Sequence, residues 1–168
     1  MSSTAAVPTT PPYEISLRGA TLAGVGIGTW QVEGEECREA VSHALQLGYR
    51  HVDTAKAYGN EQEVGRAIAD SGVARDDLWV TTKVPPSETE PGALRRAAEG
   101  SLERLGLDRV DLLLIHWPGP PEHFTSSLEA MAALREEGLI RELGVSNFPP
   151  QMLRRALDVA PVFCDQGG

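Results

Sequence analysis

The sequence predicts an α/β fold in which the strands of a parallel sheet alternate with helices. Segments with apolar residues at helical spacing alternate with short apolar runs along most of the 168 residues. A glycine follows most of the helical segments, where it can end a helix in the left-handed conformation. Strands that alternate with helices of this length are typical of βαβ units and therefore of a parallel sheet.

The N-terminal part of the chain differs from this alternation. Residues 1–12 are rich in Ser, Thr, Pro and Ala, which predicts a disordered tail and leaves 13–168 as the folded domain. Residues 13–21 alternate apolar and polar side chains before a glycine, which predicts a short hairpin. Residues 22–30 form a glycine-rich extended run.

Helices and strands then follow in a regular order. Apolar residues at helical spacing predict five helices, at 35–47, 60–70, 91–105, 128–137 and 150–159. Apolar runs predict strands at 49–53, 78–83, 110–115 and 139–145, and a further one beginning at 161–164. The run at 110–115 is almost continuously apolar, as expected of a parallel strand that is covered on both faces.

Two folds have this alternation, a doubly wound sheet and a (β/α)8 barrel. A doubly wound sheet binds its ligand at one switch point, whereas a barrel draws functional residues from the ends of several strands. Here successive predicted strands end at or next to residues capable of chemistry: Asp53, Lys83, His116 and the pair Ser146 and Asn147. The glycine-rich run does not match the dinucleotide fingerprint G-x-G-x-x-G, since Thr29 or Gln31 occupies the third glycine position. The barrel is therefore favoured.

The length of the chain predicts that the barrel is incomplete. A complete (β/α)8 barrel takes about 250 residues, and the 168 residues here account for about six of the eight βα units. A C-terminally truncated barrel has a sheet with two open edges. We therefore expect this chain to self-associate through these edges.

Composition and charge exclude several kinds of partner. A net charge of −9 opposes binding to nucleic acid or to an anionic membrane. No apolar run approaches the roughly 18–20 residues that span a bilayer, and residues 1–12 lack the features of a signal peptide. Cys37 and Cys164 do not have metal-ligand spacing. We expect a cytoplasmic protein without a metal.

The stretch 51–63, HVDTAKAYGNEQE, carries the strongest signal for a functional site. A predicted strand ends there at Asp53, and Tyr58 lies in the loop that follows, so a carboxylate and a phenol can reach one pocket. Taken singly, each candidate also has a structural interpretation. A lysine at a strand end is usually solvated, a histidine is more often packed in a core, and a Ser-Asn pair can cap a helix.

Five segments together resemble the aldo-keto reductase family. They are GIGTWQ (26–31), GYRHVDTAKAYGNEQEVGRAI (48–68), WVTTKV (79–84), SLERLGLDRVDLLLIHWPGP (101–120) and EEGLIRELGVSNF (136–148). The segments occur in the order of the family and span about 23–166. Within the family the chain is similar to the bacterial branch of diketogluconate and aldehyde reductases, which acts on small aldehydes, ketones and keto sugars.

The resemblance implies reduction of aldehydes and ketones to alcohols with NADPH, with NADH as the other possible hydride donor. The catalytic tetrad of the family corresponds here to Asp53, Tyr58, Lys83 and His116. Tyr58 would donate the proton, because a phenol beside an ammonium ionises more readily than a free one. Lys83 would supply that ammonium and Asp53 would keep it charged. His116 would orient the substrate carbonyl.

The same resemblance implies the binding residues. Ser146, Asn147 and Gln166 would bind the nicotinamide carboxamide, and Gly28 and Thr29 would line the cofactor. Trp30 and Trp117 would line the apolar mouth for a small carbonyl substrate. In the family, the strands expected to be missing carry an aromatic that stacks on the nicotinamide and a basic loop that binds the 2′-phosphate. Complete family members are expected to be monomers. The alternative is a catalytically inactive barrel fragment or a non-catalytic assembly partner.

Overall fold

The computed structural model describes residues 14–167, and the predicted N-terminal tail lies outside the described residues. The described chain begins with an antiparallel hairpin of β1 (Glu14–Leu17) and β2 (Ala20–Ala23). Between these strands, Arg18 and Gly19 have φ angles of 48° and 82°. Positive φ at both central residues is the backbone of a type I′ hairpin turn. The predicted hairpin is therefore confirmed.

Six parallel strands form the main sheet, and their order across the sheet is their order along the chain. The strands are β3 (Ile27–Gly28), β4 (His51–Asp53), β5 (Trp79–Val84), β6 (Val110–Ile115), β7 (Ile140–Ser146) and β8 (Asp165–Gln166). A doubly wound sheet reverses its strand order at a switch point. The order here continues in one direction, as in a barrel. The sheet is a half-barrel, and the prediction of an incomplete (β/α)8 barrel is confirmed.

Five helices connect these strands. They are α1 (Gly34–Gln46), α2 (Glu61–Asp70), α3 (Pro91–Leu105), α4 (Phe124–Glu136) and α5 (Pro150–Val159). The ends of α3 illustrate the local signals: the Glu90 side chain accepts from two backbone N–H groups of the first turn, and Gly106 ends the helix with a φ of 65°. Within 14–167, none of these helices is long and apolar enough to cross a membrane.

Apolar side chains pack on both faces of the main sheet. Strand β6 shows the alternation, because Leu113 and Ile115 belong to the cluster that packs against the helices. Leu112 and Leu114 belong to a second cluster, together with Ala20 of the hairpin and with Trp79 and Phe163. Successive side chains of a strand point to opposite faces, so a strand that is covered on both faces must be apolar throughout.

Most boundaries agree with the sequence prediction to within about two residues, and two of them differ by more. Helix α4 begins at Phe124 instead of residue 128, because the Phe124 ring packs against Phe148, with 6.3 Å between ring centroids. The last strand pairs at Asp165–Gln166 instead of 161–164. The two backbone bonds that lead into it, from Phe163 N to Leu143 O at 2.7 Å and from Val145 N to Cys164 O at 3.0 Å, come just before that strand.

Candidate active site

The predicted site residues lie together at the C-terminal edge of the main sheet. Asp53, Ser146 and Gln166 are the last residues of β4, β7 and β8, Lys83 is the penultimate residue of β5, and His116 directly follows β6. Parallel strands end at the same edge of a sheet, so a side chain at each strand end reaches one rim. The structure therefore brings together residues that are up to 113 positions apart in the chain.

Lys83 is a buried ammonium at the centre of this rim. Its side chain is 2% exposed. Its Nζ donates to Asp53 Oδ1, to the Thr54 carbonyl oxygen at 3.0 Å and to the Tyr58 hydroxyl at 3.4 Å. An ammonium has three donors, and all three have an acceptor here. Because a buried charge requires a partner of opposite charge, Asp53 is the residue that allows Lys83 to remain charged beside the phenol.

Tyr58 is held in place by a short turn of the backbone. It ends the 3-10 turn Lys56–Tyr58, in which Tyr58 N donates to the Ala55 carbonyl at 3.0 Å. Its ring meets the His116 ring edge to face, with 5.6 Å between the centroids and 77° between the planes. The Tyr58 hydroxyl thus accepts from Lys83, and the Tyr58 ring packs against the His116 ring.

The His116 imidazole is partly buried at the rim. Burial lowers its pKa below the ordinary value of 6.5, the Lys83 ammonium lowers it further, and the Asp53 carboxylate partly opposes both. Neither ring nitrogen has a hydrogen-bond partner in the part of the chain that the structure describes. A neutral imidazole carries one N–H donor, and this donor is available to the oxygen of a bound carbonyl.

Gln166 connects the predicted cofactor residues to the Asp53 carboxylate. Its Nε2 donates to Asp53 Oδ2 at 2.7 Å, and its backbone oxygen accepts from Ser146 Oγ at 2.8 Å and from Asn147 N at 3.0 Å. A carboxylate only accepts hydrogen bonds, so Asp53 fixes the Gln166 amide with Oε1 on the opposite side. Asn147, with a φ of 60°, has the left-handed backbone that Asn tolerates better than most residues.

Thr29 lies in a buried network instead of on an open surface. It is 2% exposed, and its hydroxyl donates to Thr54 Oγ1 at 2.9 Å. Asn60 closes the network through its Nδ2, which donates to the carbonyl oxygens of Thr29 at 2.7 Å and of Val32 at 2.8 Å. Gly28 differs from Thr29, because among residues 14–167, its two chain neighbours aside, no atom lies within 4 Å of the position where its Cβ would stand.

The two tryptophans predicted at the substrate mouth are the most exposed large apolar side chains of the site. Trp30 is 66% exposed and Trp117 is 53% exposed. Trp30 follows β3, and Trp117 directly follows His116. Their exposure leaves two apolar surfaces at the rim.

Sequence reasoning missed two features of this rim. Asn60 directly precedes α2, within one residue of the predicted helix start, and its side chain makes no cap bond to α2 but bonds back to the loop after β3. A polar residue directly before a helix was the available signal that the Asn60 side chain makes hydrogen bonds. The second feature is the Lys56 Nζ, which forms an ion pair with Glu88. A single sequence gives no signal for a pair that is 32 positions apart.

Metal ligands and reactive thiols are not features of the described residues. Within 14–167 there is no group of three or more His, Cys, Asp or Glu side chains that could hold a metal ion. Cys37 and Cys164 are free thiols. Burial, together with a nearby carboxylate, raises the pKa of each to about 11, so both are protonated at neutral pH and are poor nucleophiles.

Comparison with known proteins agrees with this geometry. The model of the Aldo/keto reductase family matches residues 22–167. An aldo-keto reductase from Mycobacterium sp. (strain KMS) is 50% identical over 141 residues, which cover 83% of this chain and 51% of that protein. Methylglyoxal reductase DkgA from Yersinia pestis is 44% identical over 141 residues, which cover 83% of this chain and 50% of that protein. The chain thus spans about half the length of these relatives.

A solved structure is also similar to this chain. The crystal structure of the Bombyx mori aldo-keto reductase in complex with NADP superimposes with a TM-score of 0.85 at 32% identity. The match covers 94% of this chain and 58% of that one. The half-barrel described above therefore corresponds to a part of a larger barrel in a protein of known structure.

Proposed function

Since the chain belongs to the aldo/keto reductase family, we propose that it reduces aldehydes and ketones to alcohols with NADPH as the hydride donor. The observation that carries the proposal is the cluster at the rim of the half-barrel. A phenol, a buried ammonium, a carboxylate and a neutral imidazole meet there through direct contacts. These are the groups that the protonation half of a carbonyl reduction needs.

Tyr58 is the proton donor in this proposal. When a hydride reaches the carbonyl carbon, the oxygen gains negative charge and takes a proton from Tyr58 Oη, which leaves a phenolate. Lys83 Nζ, 3.4 Å from that oxygen, stabilises the phenolate by its charge. Asp53 keeps Lys83 protonated, so the positive charge is present before the proton leaves.

His116 is the orienting group. Its N–H would donate to the carbonyl oxygen, and its ring lies 5.6 Å from the Tyr58 ring, so one oxygen can contact both residues. Two donors that converge on one oxygen also stabilise the charge that develops there. Because the pKa of His116 is lowered, the imidazole stays neutral at pH 7 and does not compete with Tyr58 as the acid.

The residues at the ends of β3, β7 and β8 fit a nicotinamide ring. A carboxamide has a donor and an acceptor, and Gln166 Oε1 together with the Ser146 and Asn147 side chains offers both kinds of partner. The space beside Gly28 is open, so a flat ring can approach the sheet edge. When bound, NADPH supplies the hydride. The assignment of NADPH over NADH follows the NADP complex of the Bombyx mori relative.

A small carbonyl compound is the substrate in this proposal. Trp30 and Trp117 are two exposed apolar surfaces beside the donors, and apolar walls with few polar groups are typical of small-molecule sites. The relative named methylglyoxal reductase makes methylglyoxal a suitable first probe. We further propose a cytoplasmic location, because two free cysteines remain reduced in that compartment.

The proposal is tested by measuring NADPH oxidation with methylglyoxal and NADPH binding by fluorescence titration. We expect saturable binding, and turnover that falls by about 100-fold or more in Tyr58→Phe, as is usual when a general acid is removed. Equal turnover in Tyr58→Phe would overturn the role of Tyr58. Absence of both binding and turnover in the wild-type chain would favour the alternative, a non-catalytic barrel fragment or assembly partner.

A further inference from the structure

An ion pair joins two loops at the rim of the site. The chain has two lysines among its 15 Lys and Arg residues, and both lie at this rim. Lys83 is the buried one. The Lys56 Nζ donates to both carboxylate oxygens of Glu88, at 2.7 and 2.5 Å, and the two side chains are 30% and 31% exposed.

The two partners lie on different catalytic loops. Lys56 begins the 3-10 turn that ends at Tyr58. Glu88 ends a second 3-10 turn, Pro86–Glu88, which follows the strand that carries Lys83. The backbone bonds of the first turn are local, from Tyr58 N to Ala55 O and from Gly59 N to Lys56 O. The ion pair therefore ties the turn to a neighbouring element.

The second turn also contacts the loop that carries His116. Thr89 directly follows it, is 2% exposed, and donates from its hydroxyl to the Pro86 carbonyl at 3.1 Å. A Cβ on Gly119 would lie 2.9 Å from Thr89 Cγ2, closer than real Cβ atoms approach, so glycine is needed there. Gly119 is three residues after His116 and two after Trp117. Residues 86–89, which we call the rim turn, thus lie between the two loops and contact both.

We propose that the rim turn sets the separation between the Tyr58 phenol and the His116 imidazole, with Lys56 and Glu88 as positioning residues. The inference rests on the proposed function, because it concerns how the proton donor and the orienting group are held. A half-exposed ion pair adds little to global stability, yet a misplacement of reacting groups by about 1 Å can cost roughly 100-fold in rate. Loss of the pair should therefore reduce the rate more than the stability.

The activity test compares variants of this pair with a matched control. Lys56→Met and Glu88→Gln should each lower kcat roughly tenfold, with less than about a twofold change in KM and almost unchanged thermal unfolding. Lys56→Arg, which keeps the charge, should recover most of the rate. The control is Arg38→Met, which breaks an ion pair to Asp70 at 2.9 Å that joins α1 and α2 outside the rim. It should leave kcat unchanged.

An NMR measurement decides the inference without turnover. The chain has four histidines. Because the Tyr58 ring lies 5.6 Å from the His116 ring, its ring current should shift the ring-proton resonance of His116, which is assigned by its loss in His116→Gln. Lys56→Met and Glu88→Gln should move this resonance alone, and Arg38→Met should not move it. An unchanged His116 resonance in both rim variants would overturn the inference, as would an unchanged kcat. If the wild-type chain shows no NADPH oxidation, the proposed function fails, and the NMR comparison still decides the role of the rim turn.

Discussion

Replacing Asp53 by Asn removes the carboxylate that neutralises a buried ammonium, while the shape of the side chain is kept. Lys83 is 2% exposed, and its other acceptors are the Thr54 carbonyl and the Tyr58 hydroxyl. Removing one partner of a buried ion pair costs about 3–5 kcal/mol, because the remaining charge is uncompensated. Asp53 is itself 18% exposed and the two neutral acceptors remain, so we expect a loss of about 3 kcal/mol in the free energy of unfolding.

A double-mutant cycle separates this charge effect from a loss of packing. Lys83→Met leaves Asp53 without its ammonium, and the double variant Asp53→Asn with Lys83→Met leaves no buried charge. The double variant should therefore lose about 2 kcal/mol less than the sum of the single losses. Urea unfolding at neutral pH, followed by tryptophan fluorescence, measures all four proteins. Additive losses, or a loss below about 1 kcal/mol in Asp53→Asn, would refute the assignment of a charged Lys83 held by Asp53.

Three further predictions follow from the same structure. Burial lowers the pKa of His51 and of His116, so the unfolded chain binds more protons than the folded chain below pH 6.5. Urea unfolding should therefore show full stability above that pH and a loss of stability as the pH falls below it. The loss should be at most about 1.4 kcal/mol per pH unit for His51 and less for the more exposed His116. Gly65→Ala would put a Cβ 2.6 Å from the Leu105 carbonyl carbon and should cost about 2 kcal/mol or more. In the control Gly100→Ala, which faces the end of a flexible side chain, stability should rise by up to about 1 kcal/mol. No strand of residues 14–167 pairs with the outer edges of β3 and β8, and these edges should cause self-association. Light scattering would show it as a mass that rises with concentration, and a constant monomer mass would contradict it.

Local patterns were sufficient to predict most of the elements. The bounds of α3, β6 and α5 agree with the sequence prediction, because apolar spacing and the residues at their ends are local signals. The start of α4 was not predictable in this way. Its first turn reads FTSS, which has no apolar stripe, and in the structure Phe124 packs against Phe148 and under the Arg155 guanidinium, both distant in sequence.

Some residues of the site could be predicted from local patterns, whereas the contacts between distant residues could not. Asp53, Lys83 and His116 could be predicted because each lies at or next to the end of a strand, and parallel strands end at one rim. The bond from Gln166 to Asp53 joins residues 113 positions apart, and it depends on the curvature of the sheet, which no local pattern reports. The Lys56–Glu88 ion pair and the buried hydrogen-bond network of Thr29 and Asn60 also join residues that are distant in sequence, and no local pattern predicts them.

We propose that Tyr58 protonates a carbonyl oxygen while a hydride from NADPH reaches the carbonyl carbon. The most direct test is the transfer of deuterium from NADPH labelled at the hydride position to methylglyoxal, followed by mass spectrometry of the alcohol product. We predict that the wild-type protein yields alcohol with one deuterium on the former carbonyl carbon. Tyr58→Phe should yield about 100-fold less in the same time. An unlabelled product would refute hydride transfer from NADPH, and equal amounts of labelled product from both proteins would refute proton donation by Tyr58.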